Sequence, residues 1–440
     1  MLLETTLLAV VCGTLLSVAI ALLPGLHVYN AMGLMALLLT ANPKIMNPDW
    51  IFPFSIGLVC GWSILNTLSA VLLSAPDESA LFTVLPGQKY LMQGRGYEGV
   101  MIFGLGGLLG TLFLLLLAPF APHFLALLQS VFQPYMHGII WVVITFLLMS
   151  EWPKGGRLGN SGWKRFWDAW KGLCVGLLTF LLSGLLGFIL LYRSPISAGA
   201  SFQNIMPAFV GLFAVPSCLL NMVSKQPLPK QQETQLLKLT PRHLFHGLFS
   251  GLLGGGFAAF FPVITGGIGG LLAGHATAQR DERIFMLAQG TSKTIYYTGG
   301  LLLFFMPNLH LTRGGGAWIL RGLLPSPDGH STYLMALGCI AISGGLAFLL
   351  LAPLARLLLR IMQHIPVQIF SATTLLLVGI MIYFVTSWSG IFILLVASGI
   401  GFLPLLYGAR RINALGLLLL PMACNMSGFG SSVAQFLGLL

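Results

Sequence analysis

Residues 72–99 read LLSAPDESALFTVLPGQKYLMQGRGYEG and gather Asp77, Glu78, Lys89, Arg95 and Glu98 between two long apolar runs. An ionisable group kept beside membrane-spanning segments is expensive, and it marks ion and proton pathways. Asp77, Glu78 and Glu98 are therefore the candidates for coupling to Na+ or H+. Pro76 and the Pro86-Gly87 pair break the chain, and the connection exceeds the roughly 2–8 residues usual between bundle helices. An ordinary solvated loop would also carry its charges where water reaches them. The two readings start level.

The next residues able to do chemistry surround prolines placed deep in apolar runs. Gly13 to Asn30 reads GTLLSVAIALLPGLHVYN and Gly251 to Gly270 reads GLLGGGFAAFFPVITGGIGG, with Gly13–Pro24 and Gly251–Pro262 equally spaced. Proline removes a helix donor and clashes with the carbonyl one turn back, so each run predicts a helix broken within the membrane. The freed backbone groups must then face protein or a polar cavity. Carriers built from inverted repeats use such breaks to hold a substrate, and half-helix N-termini, with free N–H groups and partial positive charge, suit a carboxylate or phosphate. Polar residues follow each break, His27, Tyr29 and Asn30 in one and Thr265, Gly266, Gly267 and later His275 in the other. The predicted substrate-binding residues are Pro24, Gly25, His27 and Asn30, then Pro262, Thr265, Gly266 and Gly267, with Pro86 and Gly87 from the acidic loop. A kinked but continuous span is the plainer reading of proline alone, and it leaves both polar clusters unexplained. Asp281 and Glu282, ahead of Gly290, resemble a second-half counterpart of the acidic pair.

The elements that carry these residues follow from composition. The chain has 440 residues, 56% hydrophobic and 8% charged, where soluble domains carry roughly a quarter. A soluble globule is excluded. Residues 5–43, 99–150 and 361–409 hold no charged side chain, and about 20 apolar residues cross a bilayer as a helix. The expected fold is an all-α polytopic membrane protein of about ten to twelve crossings, with two inverted repeats whose Pro/Gly-broken or re-entrant helices meet near the bilayer midplane. The expected domains are a first repeat over 1–224, a linker over 225–242 containing three prolines, and a second repeat over 243–440.

The net charge of +11 does not point to nucleic acid, because the cations cluster in short loops. Lys154, Arg157, Lys164, Arg165 and Lys171 fall in one, and Lys225, Lys230, Lys238 and Arg242 in another. The positive-inside rule places 151–172 and 225–242 on the cytoplasmic side of the cytoplasmic membrane. Trp163, Phe166, Trp167 and Trp170 share a helical face, which predicts an interfacial anchoring helix at about 151–172 among membrane lipids. A partner-sensing surface is the rarer reading. The N-terminal flank carries Glu4 and no cation ahead of a long apolar run, so no cleavable signal is expected. Six cysteines lie apart in apolar stretches and indicate neither a disulfide framework nor zinc. No phosphate loop, nucleophile elbow or HExxH is present, so an enzyme is not expected, nor any cofactor beyond a coupling ion.

The PGLH-bearing run Gly13–Asn30, APDESALFTVLPG with GRGYE, and GLLGGGFAAFFPVITGGIGGLLAGH together resemble the large membrane subunit of the tripartite tricarboxylate transporters, the TctA family. The likeness is greatest to a divergent, stand-alone branch frequent in archaea. It extends over most of the chain, but only these blocks are specific. The resemblance implies a secondary carrier of inverted repeats whose Pro-Gly motifs line the substrate site. In the well-studied branch it implies carboxylates such as citrate, a cation gradient, a small membrane subunit and a periplasmic binding protein. Matching positions are Pro24, Gly25, His27, Asn30, Pro76, Pro86 and Gly87. Val263 stands where a glycine is expected after Pro262, and Gln88-Lys89 where the carboxylate branch has an acidic residue. Both departures bear on the substrate and not on the carrier architecture.

The expected function is a secondary active transporter of a small anionic solute such as a carboxylate. A carrier of a lipid-linked phosphate, such as an isoprenoid phosphate, is the alternative, since PVITGG is similar to the re-entrant motifs of polyprenyl-phosphate carriers. A membrane scaffold in a larger complex would instead tolerate substitution at Pro24 and Pro262. Self-association is compatible with each reading.

Overall fold

The computed structural model describes residues 3–23, 25–75, 77–153, 161–197, 204–224, 228–232, 237–309, 311–324, 327 and 329–440. Pro24, Pro76, Lys154, Arg157, Lys225 and part of the 225–242 linker lie outside the described residues. Among those described there is no strand. Eight helices among the described residues are long and apolar enough to cross a membrane, or nine if the bent pair Arg411–Met426 and Gly430–Phe436 is one span. This is an all-α, multi-pass membrane protein. Fewer full spans form than the charge-free gaps suggested, because breaks divide the apolar runs. The helix Val28–Ala41, for example, has 14 residues and covers about 21 Å, short of a ~30 Å hydrocarbon core.

The chain forms two compact units, Met1–Ser130 with Leu220–Thr374, and Val131–Leu219 with Leu375–Leu440. In the first unit, glycines set the closest helix crossings. A Cβ on Gly13 would lie 2.1 Å from the Phe54 carbonyl oxygen, and one on Gly57 would lie 2.2 Å from that of Val10. The helices Gly96–Leu117 and Glu282–Thr294 cross the same way, with Gly106 against Leu287 and Gly290 against Phe103 at 2.1 and 2.0 Å. Lipid supplies no hydrophobic drive between helices, so small residues that permit intimate packing do much of the joining.

Both predicted breaks are present. The helix Leu3–Leu22 gives way to Val28–Ala41 across residues 23–27, and Pro241–Phe260 gives way to Gly266–Ala276 across residues 261–265. The residue after each proline is left-handed, Gly25 at φ +81° and Val263 at φ +56°. The valine that departs from the family pattern thus makes the same turn as the glycine, at a steric cost of about 1–2 kcal/mol. Each break ends in an N-cap that satisfies orphan helix donors. His27 Nδ1 accepts from the Tyr29 N–H at 3.1 Å, and Thr265 Oγ1 from the Ile268 N–H at 3.4 Å. Farther on, Glu282–Thr294 runs through a wide π-type turn, Ile295–Gly299, into Gly300–Phe305.

The second unit packs Phe188, Cys424 and Ala434 in one core and Met206, Val210, Ala214, Val378 and Ile382 in another. The aromatic and basic stretch at 163–171 forms the leading turns of the single 31-residue helix Gly162–Tyr192. Its Trp163 is 75% exposed and stacks on Phe166 at 5.2 Å. Within the linker, Gln231 is buried in the first unit, where Nε2 donates to the Leu91 carbonyl at 2.8 Å and Oε1 accepts from the Gly96 N–H at 3.0 Å.

Val263→Gly is expected to stabilise the protein by up to about 1 kcal/mol, the relieved strain being partly offset by glycine's backbone entropy. Gly290→Ala is expected to destabilise by about 1–3 kcal/mol through overpacking. Thermal unfolding in detergent should show the two midpoints moving in opposite directions.

Candidate functional site

The first break, the acidic loop and the second-half helix Glu282–Thr294 converge within the first unit. His27 comes from the break, where its capping bond fixes the ring. Because Nδ1 accepts from Tyr29, the neutral imidazole carries its proton on Nε2. That Nε2 lies 2.9 Å from Tyr297 Oη and 3.3 Å from Glu78 Oε1. Tyr297 sits in the π-type turn, a distortion that often marks functional positions in helices. Its hydroxyl lies 2.7 Å from Asp77 Oδ2 and 2.8 Å from Glu78 Oε1. With one proton to give, it donates to one carboxylate at a time. Ser79 Oγ completes the contacts by donating to it at 3.1 Å.

Lys293 supplies the opposite charge. Its side chain is fully buried, and Nζ lies 3.3 Å from Asp77 Oδ1. The same ammonium donates to Asn66 Oδ1 and sits 4.7 Å from the centre of the Trp62 ring, a cation–π contact. Asn66 follows the helix Pro48–Leu65 and gives its Nδ2 to Ser69 Oγ at 2.9 Å, which leaves Oδ1 for the lysine. Trp62 also packs against His27 at 4.7 Å and edge-on to Tyr297 at 5.2 Å, walling the charges off with rings. Two carboxylates, one ammonium and a neutral imidazole leave the cluster one positive charge short. One ligand atom from each of His27, Asp77 and Glu78 lies within 4.8 Å of the others, a spacing one cation could bridge.

The second break approaches the same loop from the other side. Thr265 Oγ1 lies 3.4 Å from the Glu78 carbonyl oxygen, and a Cβ on Gly267 would come within 2.6 Å of that oxygen. Ser292 Oγ donates to the Gly266 carbonyl at 2.9 Å, tying the break to the helix that bears Lys293. Of the predicted residues, His27, Asp77, Glu78, Thr265, Gly266 and Gly267 therefore gather around residues 77–79. Gly25 and Pro262 form the breaks behind them, and Asn30 is buried in the first turn of Val28–Ala41.

The remaining predicted residues sit elsewhere in the first unit. Pro86 and Gly87 are inside the helix Val84–Met92. Gly87 packs on Val71, and Pro86 borders a surface hollow with Lys89, Gln279 and Glu282. Glu98 is held by Arg95 through two 2.8 Å bonds, with Arg283 at 4.0 Å. None of these is a partner of Asp77 or Glu78. Asp281 caps Glu282–Thr294, Glu282 pairs with Lys89, and His275 bonds the Leu271 carbonyl of its own helix.

Lys293, Tyr297, Trp62, Asn66 and Ser79 were not predicted. One signal was available, since Lys293 is the only charged residue in 284–312, and a lone charge in such a stretch marks function by default. The aromatics carried none, because Trp or Tyr in an apolar run ordinarily reads as core.

Broken helices from both halves of the chain, converging on charged side chains in a multi-pass helical membrane protein, are an arrangement that transporters use. The tripartite tricarboxylate transporter TctA family model matches residues 7–416, and the chain belongs to that family. This is a transporter family whose members serve as the large membrane subunit of a three-part system. The chain is also similar to an uncharacterized protein of Methanocaldococcus jannaschii, 26% identical over 287 residues, which spans 65% of this chain and 64% of the relative. No solved structure matches the chain.

Removing one partner of a buried ion pair strands the other charge. Lys293→Met is accordingly expected to destabilise the protein by about 3–5 kcal/mol. Adding Asp77→Asn should recover most of that loss, as measured by unfolding of both variants in detergent micelles.

Proposed function

We propose that the protein is a secondary active carrier that moves a small anion, a carboxylate in the first instance, across the cytoplasmic membrane with H+ or Na+. The observation that carries this reading is the gathering of the buried Glu78, Lys293 and Tyr297 with the half-buried His27 and Asp77 where both helix breaks face one loop. A structural cluster would be expected to balance its charge, whereas this one is short by a single positive charge. A proton or Na+ at His27, Asp77 and Glu78 makes up the difference, which is what a coupling site must do reversibly.

The anion is recognised by the opposite kind of group. The helix N-termini at Val28 and Gly266 begin at the breaks, and their partial positive charge favours a carboxylate. Gly25, Asn30, Thr265, Gly266 and Gly267 form the substrate-facing set, together with Pro24 and Pro262 of the two sequence motifs. Pro86, Gly87 and Glu98 belong to the supporting frame rather than to this set. The two halves act as inverted repeats, with 151–172 and 225–242 on the cytoplasmic side. Companion subunits of the family's three-part system, a small membrane protein and a solute-binding protein, are the partners that would feed it.

Reconstitution into proteoliposomes tests the reading, with labelled citrate or succinate and an imposed proton or sodium gradient. Wild-type protein should accumulate label, while Asp77→Asn and Gly25→Leu, still inserted and monodisperse, should lose gradient-driven uptake at least tenfold. Wild-type rates in both variants would sink the proposal.

A further inference from the structure

We propose that the surface hollow between the helices Val84–Met92 and Glu282–Thr294 is a binding site for a small anion carrying two carboxylates, which takes Lys89 from Glu282 and reaches Arg280 at the same time. Its role as a port for the carried substrate, apart from the cluster at the helix breaks, rests on the carrier reading above.

The hollow has a volume of about 340 Å³, a size that small-molecule sites share. Leu85, Pro86 and Phe285 give it apolar walls, and Lys89, Arg280, Asp281 and Glu282 bring its charge. These four charges are not equally committed. Asp281 is taken, since Oδ1 accepts from the Arg283 and Ile284 N–H groups at 2.8 and 3.4 Å and Oδ2 lies 3.6 Å from His243 Nε2. Arg280 is exposed and forms no ion pair among the described residues. Lys89 Nζ meets Glu282 Oε1 at 2.5 Å. The lysine thus already grips a carboxylate, one that belongs to the chain.

That grip is exchangeable. The Lys89 and Glu282 side chains are 53% and 46% exposed, and ion pairs so open to water are weak and screened by salt. A diffusible dicarboxylate gives one carboxylate to Lys89 in place of Glu282 and the other to the Arg280 fork, whose planar donors match a carboxylate. Its carbon chain lies against Leu85 and Phe285. Gln279, another residue of the hollow's lining, is an independent sign of a polar ligand. Its side-chain nitrogen and oxygen are both out of water with no hydrogen-bond partner among the described residues, whereas buried polar groups are nearly always paired. Turning that amide toward the hollow presents two N–H donors to the anion. The position suits a port. Glu282 and Lys293 are eleven residues apart in one helix, about 16 Å at 1.5 Å per residue, so the hollow opens at one end of the helix that carries the buried lysine. The linker borders it as well, with Arg283 Nη1 donating to the Lys238 carbonyl at 3.2 Å, which puts the port on the side that the positive-inside rule assigns to the cytoplasm.

The test follows Lys89 itself. Full-length protein in detergent is acetylated briefly with an N-hydroxysuccinimide ester, and peptide mass spectrometry reads each lysine. Succinate and citrate should slow acetylation of Lys89 by about threefold or more relative to sodium chloride of equal ionic strength, leaving the exposed Lys44 and Lys164 unchanged. Arg280→Gln should abolish the protection. Glu282→Gln, which removes the competing carboxylate, should lower the succinate concentration needed by about two- to fivefold, the worth of an exposed ion pair. Absence of protection by both anions, equal protection in Arg280→Gln, or a higher succinate requirement in Glu282→Gln overturns the assignment. If Lys89 is unprotected while wild-type proteoliposomes accumulate either probe, the port falls and the carrier reading stands. If Lys89 is protected in a protein that accumulates neither, the anion site stands and the carrier reading falls.

Discussion

A lysine ammonium buried out of water must have a counter-charge and acceptors within reach, and Lys293 obtains them from distant parts of the chain. Asp77 supplies the charge, Asn66 the acceptor and Trp62 the aromatic face. Because desolvating an ion costs several kcal/mol unless it is well paired, the second-half helix that bears Lys293 is held in register with the first-half loop that bears Asp77. The remaining contacts of the site follow from that registration. Tyr297, one helical turn beyond the lysine, meets Asp77, Glu78 and His27 in that same register.

Backbone geometry makes the registration attainable. Gly106 and Gly290 let the helices Gly96–Leu117 and Glu282–Thr294 approach until a methyl group would strike a carbonyl. The breaks at 23–27 and 261–265 then turn two helix N-termini toward the same loop. Val263 shows how strongly the turn is required, since a β-branched residue is held in a conformation that ordinarily calls for glycine. The proline-glycine pattern is thus better understood as a backbone shape than as a residue pair, and the chain keeps the shape where it departs from the pattern.

Membership of the tripartite tricarboxylate transporter family accords with a helical membrane fold whose only dense cluster of buried charge, among the described residues, lies at those breaks. Charges elsewhere serve connections instead. Glu98 with Arg95 and Arg283 fastens two helix starts on the first unit, and Lys89 with Glu282 bridges two exposed segments. Three carboxylates in one loop therefore divide between roles, Asp77 and Glu78 turning inward and Glu98 pairing with arginines. Spacing along the chain does not distinguish them, because which way a loop carboxylate turns depends on the packing of helices far away in sequence.

Composition and local rules determined the class of this protein. Long charge-free stretches require helices across a bilayer, since lipid leaves backbone groups no partner but each other, and a proline deep in such a stretch weakens its helix, although Pro53, Pro353 and Pro404 stay inside theirs. His27, Asp77, Glu78 and the second polar cluster could be picked out on those grounds alone. Only the tertiary structure decided that His27, Asp77, Glu78 and Thr265 to Gly267 gather in one cluster, that Lys293, Asn66 and Trp62 complete it, and that His275, Pro86, Gly87 and Glu98 stand apart. Propensity and hydropathy act over a few neighbouring residues, whereas the pairing of Lys293 with Asp77 joins positions from opposite halves of the chain, set by glycine crossings and by the demand that a buried charge be answered.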